Sequence, residues 1–403
     1  MTDIPSLPVV PSLPVEFPPD ELVVDLPYRD LVTRELSDLG IGFVDDDVDE
    51  RLGLALVTGL VDAAGNPVAD LDGLMLELRR QISGRYPGWT PEIGKNRRVQ
   101  SIVAAGYPKP LALGVAPAGG HREPLGNDDP TPAPGPVPAS GASPDAGLGV
   151  RVGILDTRLA AHPTLVGGIT TDHELFVPDG AVPVWAGHAT FVASLIRAQA
   201  PAADLDVRAV LDDETGKATS WETAKKMVSF ADSGIDILNL SLGCRTSDGL
   251  PPLVLTRAVE RLHPHTLVVA AAGNHGALTG WVHGLTRRSP TWPGALVDVV
   301  AVGADNADRT PADFGPRLPW VTCTARGADV VGAYLTGTVQ LMRGWRDFTG
   351  FARWSGTSFA AATASGRVAA LTMPGKTTAR QALDDVLADG DPNDVVRRRQ
   401  QPR

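Results

Sequence analysis

An α/β protein with a doubly wound, mostly parallel sheet, preceded by a smaller α+β domain, is what three features of the sequence predict. After Gly149, short strands apolar on both faces alternate with helix-like segments, the pattern of a parallel sheet covered on each side. Residues 21–113 instead read β-α-β-β-α-β, an order that folds two helices onto one face of an antiparallel sheet. Between the two units, 8 Pro and 6 Gly fall in the 34 residues from Val115 to Leu148, too little apolar content for a core, so 114–148 reads as a linker. At about 150 residues per domain, a length of 403 accommodates both.

Taken in order, residues 1–20 carry Pro5, Pro8, Pro11 and Pro14 at intervals of three, which suits an extended arm expected to be solvated. In the ferredoxin-like unit, Leu22-Val23-Val24 is the first strand, and Leu31, Val32, Leu36 and Leu39 mark a helix from Tyr28 to Leu39. Ile41 to Val44 and Leu54 to Leu60 follow as strands, with the acidic turn Asp45-Asp46-Asp47 expected to be a solvated loop between them. A helix from about Leu71 to Ile82 and a last strand from Val99 to Ala104 complete it. The larger domain spans 149–375. Its strands are expected at Val150 to Leu155, Leu205 to Val210, Ile235 to Leu242, Thr266 to Ala272 and Val297 to Val302, with helices at Ala189 to Ala198 and Trp221 to Ser233. Residues 376–403 read as a C-terminal helix and a basic tail, in which Arg397-Arg398-Arg399 is expected to be solvated.

Composition removes several function classes. Hydrophobic residues at 43% and charged residues at 21% argue against disorder, and a net charge of −11 opposes a general nucleic-acid or anionic-membrane surface. Cys244 and Cys323 form no CxxC pair and supply neither a disulfide framework nor a zinc site; Cys244 is expected to be a small buried thiol. No acidic loop has EF-hand spacing, so no metal and no cofactor are predicted. The first basic residue is Arg29, after a run broken by prolines, and no apolar run approaches the roughly 18 residues that span a bilayer. A cytoplasmic location without membrane contact is the expectation.

In open α/β sheets, active sites lie beyond the carboxyl ends of the strands. Asp156 directly follows the strand Val150 to Leu155, and His188 opens a helix in Gly187-His188-Ala189-Thr190. Asn274 ends Ala271-Ala272-Gly273-Asn274, and Ser358 precedes a small-residue helix in Ser355-Gly356-Thr357-Ser358. A serine hydroxyl is a poor nucleophile at neutral pH, so it needs a base within hydrogen-bond reach and a third group to hold that base in one tautomer. Ser358, His188 and Asp156 fit those roles. Attack on a carbonyl puts negative charge on oxygen, which the Asn274 amide and the Ser358 N–H at a helix start are suited to stabilise. The other seven histidines, His121, His162, His173, His263, His265, His275 and His283, are expected to be structural or exposed.

With these blocks in the order Asp, His, Ser, the region from about 149 to 375 resembles a subtilisin-like serine peptidase. Val152-Gly153-Ile154-Leu155-Asp156-Thr157 is similar to that family's aspartate block. Gly187, His188, Thr190, Val192 and Ala193 match its histidine block, and Ser355-Gly356-Thr357-Ser358 its serine block. The resemblance implies hydrolysis of protein or peptide substrates, bound as an extended strand along Ser241-Leu242-Gly243, with Asp156, His188 and Ser358 catalytic and Asn274 in the oxyanion hole. Arg158, Ala189, Phe191 and Ala362 depart from the family pattern and leave a second reading, a catalytically impaired module that binds peptides or a partner. The element order of 21–113 is similar to the prodomain of such peptidases. That likeness implies a domain that docks on its own catalytic domain through its sheet, with part of residues 115–148 in the cleft.

Overall fold

Residues 21–102, 129–135, 141–278, 286–341, 344–391 and 395–398 are described in the computed structural model of the chain. The proline-spaced arm, much of the linker and Arg399 lie outside them. The N-terminal unit begins with strand β1 (Leu22–Asp25), followed by helix α1 (Arg29–Asp38) and strands β2 (Gly42–Asp49) and β3 (Leu54–Val61). Helix α2 (Leu71–Arg85), capped by the Asp70 carboxylate accepting from the Gly73 N–H at 2.8 Å, leads to β4 (Ile93–Lys95). The four strands form an antiparallel sheet in the order β2-β3-β1-β4. The closing strand is thus Ile93–Lys95, not the expected Val99 to Ala104. The acidic turn is not a loop either, for it lies within β2, and the Asp47 carboxylate accepts from Trp221 Nε1 at 2.9 Å and Lys225 Nζ at 2.6 Å.

Strand β5 (Arg98–Ser101) leaves this unit, and in the linker β6 (Thr131–Pro132) is an ordered strand. The larger domain continues through β7 (Arg151–Asp156), β8 (Ile169–Thr171), β9 (Val182–Pro183), α3 (His188–Gln199), β10 (Asp204–Ala209), β11 (Lys217–Thr219) and α4 (Ser220–Ser229). Next come β12 (Ile237–Leu240), β13 (Leu242–Gly243), α5 (Leu253–Leu262), β14 (Leu267–Ala271), β15 (Val299–Asp305) and β16 (Cys323–Arg326). The chain finishes with the hairpin β17 (Val330–Leu341) and β18 (Gly344–Trp354), helices α6 (Thr357–Leu371) and α7 (Ala379–Asp389), and β19 (Val396–Arg398). The main sheet runs β19-β16-β15-β14-β12-β7-β10-β8 and is parallel except where β19 pairs with β16. Arg397 and Arg398 are therefore part of an edge strand rather than a solvated tail, pinned by Val396 at 1% exposure. β6 pairs with β18, so this part of the linker belongs to the hairpin sheet β6-β18-β17-β9.

Central strands such as β12 and β14 are buried at every position, which is why they read as unbroken apolar runs. Helix α6 is alanine-rich and buried around nearly its whole circumference, and it packs among α3, β12, β14, β15 and β16. Its first turn carries Thr357 and Ser358 to the carboxyl-end side of the sheet.

Side-chain alternation in the N-terminal sheet sorts its apolar residues into two cores. Leu22, Val24, Ala55 and Val57 face α1 and α2, whereas Val23, Leu54 and Leu56 join a cluster with Trp221, Ala224, Met227, Val228, Leu255, Ala258 and Val259 of α4 and α5. Polar contacts rim this face. Arg257 of α5 pairs with Asp25 at 3.0 Å and Glu92 at 2.5 Å, and Arg97 pairs with Asp248 at 2.7 Å. The Asn96 side-chain oxygen accepts from Ser220 Oγ and the Trp221 N–H at the start of α4.

Candidate active site

Asp156, His188 and Ser358 sit where an element begins or ends, and Asn274 sits in the loop that follows β14. Asp156 is the last residue of β7 and His188 the first of α3, and both are fully buried, with His188 Nδ1 donating to Asp156 Oδ1 at 2.7 Å. The Thr157 N–H donates to the same oxygen at 2.7 Å, while Asp156 Oδ2 is buried without a hydrogen-bond partner. With its proton on Nδ1, the ring presents a bare Nε2. Aromatic rings confine it: Trp354 meets its edge at 5.9 Å between centroids and Phe359 lies at 5.7 Å.

Phe191, one of the departures noted above, does not crowd this arrangement. Its ring packs tilted against Phe359, 4.5 Å between centroids, and enters space left by Gly332, where a Cβ would lie only 2.8 Å from it. Gly187 serves similarly, because a Cβ there would meet the Tyr334 ring at 2.2 Å, and Tyr334 in turn donates to the Val184 carbonyl at 2.7 Å. The hairpin β17–β18 therefore buttresses the turn that presents His188. Arg158, another departure, pairs with Asp213 at 2.5 Å and lies over the Phe176 ring.

Asn274 is oriented from both ends of its amide. Its Oδ1 accepts from the Thr357 N–H at 2.9 Å and Thr357 Oγ1 at 3.0 Å, which leaves Nδ2 to donate to the Ile102 carbonyl at 2.6 Å. Ser358 Oγ donates to the Ser241 carbonyl at 3.0 Å, and the Ile102 N–H donates to that same carbonyl at 3.1 Å. The peptide at Ile102 is thus held between Asn274 and Ser241, with the Ser358 hydroxyl on the shared acceptor. His188 Nε2 does not contact Ser358; its partner is Ser101 Oγ at 3.1 Å.

Residues 98–102 reach this point as the middle strand of the sheet β11-β5-β13. Ser101 and Gln100 oppose Leu242 and Gly243, while Gln100, Val99 and Arg98 oppose Lys217, Ala218 and Thr219, both antiparallel. Ser241, Leu242 and Gly243 therefore line an extended peptide formed by residues 98–102, while most of residues 115–148, which the sequence reading sends to the cleft, lie outside the described residues. Val99-Gln100-Ser101-Ile102 has ordinary strand composition, and composition does not say which sheet a strand joins. Among the described residues, no three or more His, Cys, Asp or Glu side chains are grouped to hold a metal ion.

A cleft that grips an extended chain on both edges, next to a buried aspartate–histidine pair and a helix-borne hydroxyl, fits the architecture of the serine-peptidase class of α/β proteins. The chain belongs to the subtilase family, whose model matches residues 147–385, more than half of its length. It is 31% identical over 253 residues to a thermophilic serine proteinase of Bacillus sp. (strain AK1), covering 59% of this chain and 56% of that protein. It is 29% identical over 278 residues to mycosin-4 of Mycobacterium tuberculosis, covering 60% and 59%. The chain thus spans less than two thirds of the length of these curated relatives. Among solved structures, a lanthipeptide protease matches 64% of this chain and 86% of its own at 24% identity, with a TM-score of 0.49. The protease domain of PatA, as an S218A mutant, matches 57% and 81% at 27% identity, with a TM-score of 0.46.

Proposed function

We propose that the protein is a serine endopeptidase in which Ser358 attacks, His188 moves the proton, Asp156 holds His188, and Asn274 stabilises the oxyanion. The observation that carries this reading is the Ile102 carbonyl on Asn274 Nδ2 at 2.6 Å, a peptide bond presented to the Ser358 helix as a substrate would be. Ser358 Oγ gives its proton to His188 Nε2 and bonds to the carbonyl carbon, and the carbonyl oxygen becomes an anion facing Asn274 Nδ2 and the Ser358 N–H. The Asp156 carboxylate steadies the imidazolium, which then hands its proton to the departing amine. Water repeats the sequence on the acyl-enzyme and frees Ser358. For the first step the Ser358 hydroxyl has to turn from Ser241 to His188, displacing Ser101 Oγ.

In the same reading, residues 21–102 act as a ferredoxin-like prodomain that docks through its sheet on α4 and α5 and fills the acyl side of the cleft with Val99 to Ile102. Its element order, the shared apolar cluster and the ion pairs of Arg257 and Arg97 support this. The bond after Ile102 is the first one cut. A cytoplasmic setting belongs to the proposal too, and it agrees with Cys244 and Cys323 forming no disulfide. A second reading, a module that binds peptides without hydrolysis, draws on the Ser358 hydroxyl turned to Ser241 and on His188 Nε2 occupied by Ser101. Incubation of the purified full chain decides between them by intact mass. Hydrolysis predicts a break after Ile102 that Ser358→Ala abolishes with the fold intact; an unbroken chain that takes up no serine-directed probe supports the binding module.

A further inference from the structure

Two serine hydroxyls compete for one base. With its proton on Nδ1 and given to Asp156 at 2.7 Å, His188 has a single ring lone pair to offer, on Nε2. Ser101 Oγ lies 3.1 Å from that nitrogen and donates to it, whereas Ser358 Oγ donates to the Ser241 carbonyl at 3.0 Å. Ser101 directly precedes Ile102, whose carbonyl Asn274 holds at 2.6 Å. The segment that fills the cleft thus also occupies the proton acceptor needed to cut it.

The two hydroxyls do not lose equally when they change places. When Ser358 leaves the Ser241 carbonyl, that oxygen keeps the Ile102 N–H at 3.1 Å, and the hydroxyl gains His188. Ser101 is 3% exposed, and among the described residues its hydroxyl has no partner other than His188. Its release strands a buried donor, which is the costlier kind of loss. Neither backbone nor base can follow. The Ser101 N–H donates to the Gly216 carbonyl at 2.9 Å and Ser101 lies opposite Leu242 in the β5–β13 pair, so only rotation about Cα–Cβ takes the hydroxyl off Nε2. The imidazole is held by Asp156 and confined by the Trp354 and Phe359 rings.

We propose that Ser101 is a latch on the cleavage of its own chain: its hydroxyl holds His188 Nε2 against Ser358 and so slows the cut after Ile102. This rests on the endopeptidase reading and adds a regulation of the same site. The gating step exchanges one hydrogen bond for another. Ser101 Oγ–H leaves Nε2 and Ser358 Oγ–H takes its place. Only then does the Ser358 proton pass to Nε2 as Oγ bonds to the Ile102 carbonyl carbon. The observed rate is the chemical rate reduced by the fraction of chains in which Ser358 holds the base. Stranding one buried hydroxyl lowers that fraction about tenfold.

The full chain supplies the test, by intact mass against time. Ser101→Ala removes the competitor and keeps the backbone contacts, so this chain should break after Ile102 about tenfold faster than wild type. Threonine and valine share one shape and differ in the hydroxyl, so Ser101→Val should break faster than Ser101→Thr by a similar factor. A strand merely loosened by substitution gives no such order. In the Ser358→Ala background the contact is read without catalysis. There the His188 Nε2 nitrogen resonance should move downfield on adding Ser101→Ala, as a ring nitrogen does when it loses a donated hydrogen bond. Ser101→Ala no faster than wild type, or Ser101→Val no faster than Ser101→Thr, overturns the latch while the wild-type break keeps the peptidase reading. An unmoved resonance overturns the latch too. No break in any of these chains removes the peptidase reading and the latch with it.

Discussion

Replacing Asn274 by aspartate separates its chemical role from its structural one. The carboxylate still accepts from the Thr357 N–H and Oγ1, now at 2.9 and 3.0 Å, so the loop between β14 and the next element keeps its anchor on α6. What disappears is the donor 2.6 Å from the Ile102 carbonyl, replaced by an oxygen that repels the developing anion. Loss of one such donor costs about 10²–10³ in rate, or roughly 2.7–4 kcal/mol, and the added charge moves aspartate to the upper end. Alanine also removes the donor but orphans the two Thr357 groups, so Asn274→Ala loses the rate and about 1–3 kcal/mol of stability as well. Because Val99 to Ile102 already lie in the cleft, breakage of the full chain after Ile102 is a first-order assay with no binding step. Intact mass against time supplies the rate, and a thermal melt supplies the stability. Either variant breaking within threefold of the wild-type rate refutes the assignment of Asn274 as the oxyanion donor.

Other consequences follow from packing and charge. Gly187→Ala pushes a methyl into the buried Tyr334 ring beside His188, and overpacking of this kind costs about 1–3 kcal/mol, so both the melting temperature and the cleavage rate should fall. Asp305, 4% exposed, is pushed up to about 6, first by burial. Its folded value stands above the unfolded one, so the wild type carries a penalty above pH 6, up to about 3 kcal/mol, that vanishes as the pH falls below 4. Asp305→Asn should therefore melt higher than wild type at pH 8 and alike at pH 4, and an equal gain at both would be contrary. The Lys225 and Trp221 hydrogen bonds hold Asp47 below the usual carboxylate range. At Asp248 the Leu250 N–H and Arg97 outweigh burial with the same result. These depressed values mean that the contacts contribute fully at neutral pH and are lost as pH falls through the acid range. The protection of the Lys217–Ser229 amides in the Ser358→Ala chain, taken relative to the intrinsic exchange rate at each pH, should accordingly fall below about pH 4 and stay high at pH 7.

The parallel strands, and the placing of the four candidate residues at the carboxyl-end side of the sheet, were legible because their signals are local. A strand buried on both faces leaves an unbroken apolar run, as in Val268-Val269-Ala270, and Asp156, His188 and Ser358 stand at or next to an element boundary, with Asn274 three residues past the end of β14. The features that were missed depend on partners distant in sequence. Strand β5 looks like any strand, and nothing in Val99-Gln100-Ser101-Ile102 says that it pairs with Leu242-Gly243 instead of Leu22-Val23-Val24. The hairpin β17–β18 is obscured by Gly332, Gly337, Gly344 and Gly350 and by a register shift between Ala333 and Thr336, which break its alternation. Arg397 and Arg398 read as a charged tail because a single buried residue, Val396, ties that strand to its edge.

The central claim is that Ser358 is an activated nucleophile, and a fluorophosphonate probe on the full chain tests it most directly. Peptide mapping should find the label on Ser358 in the wild type and nowhere in Ser358→Ala or His188→Ala, with the labelled wild-type chain broken after Ile102. A folded full chain that stays intact and takes no label at Ser358 contradicts the account.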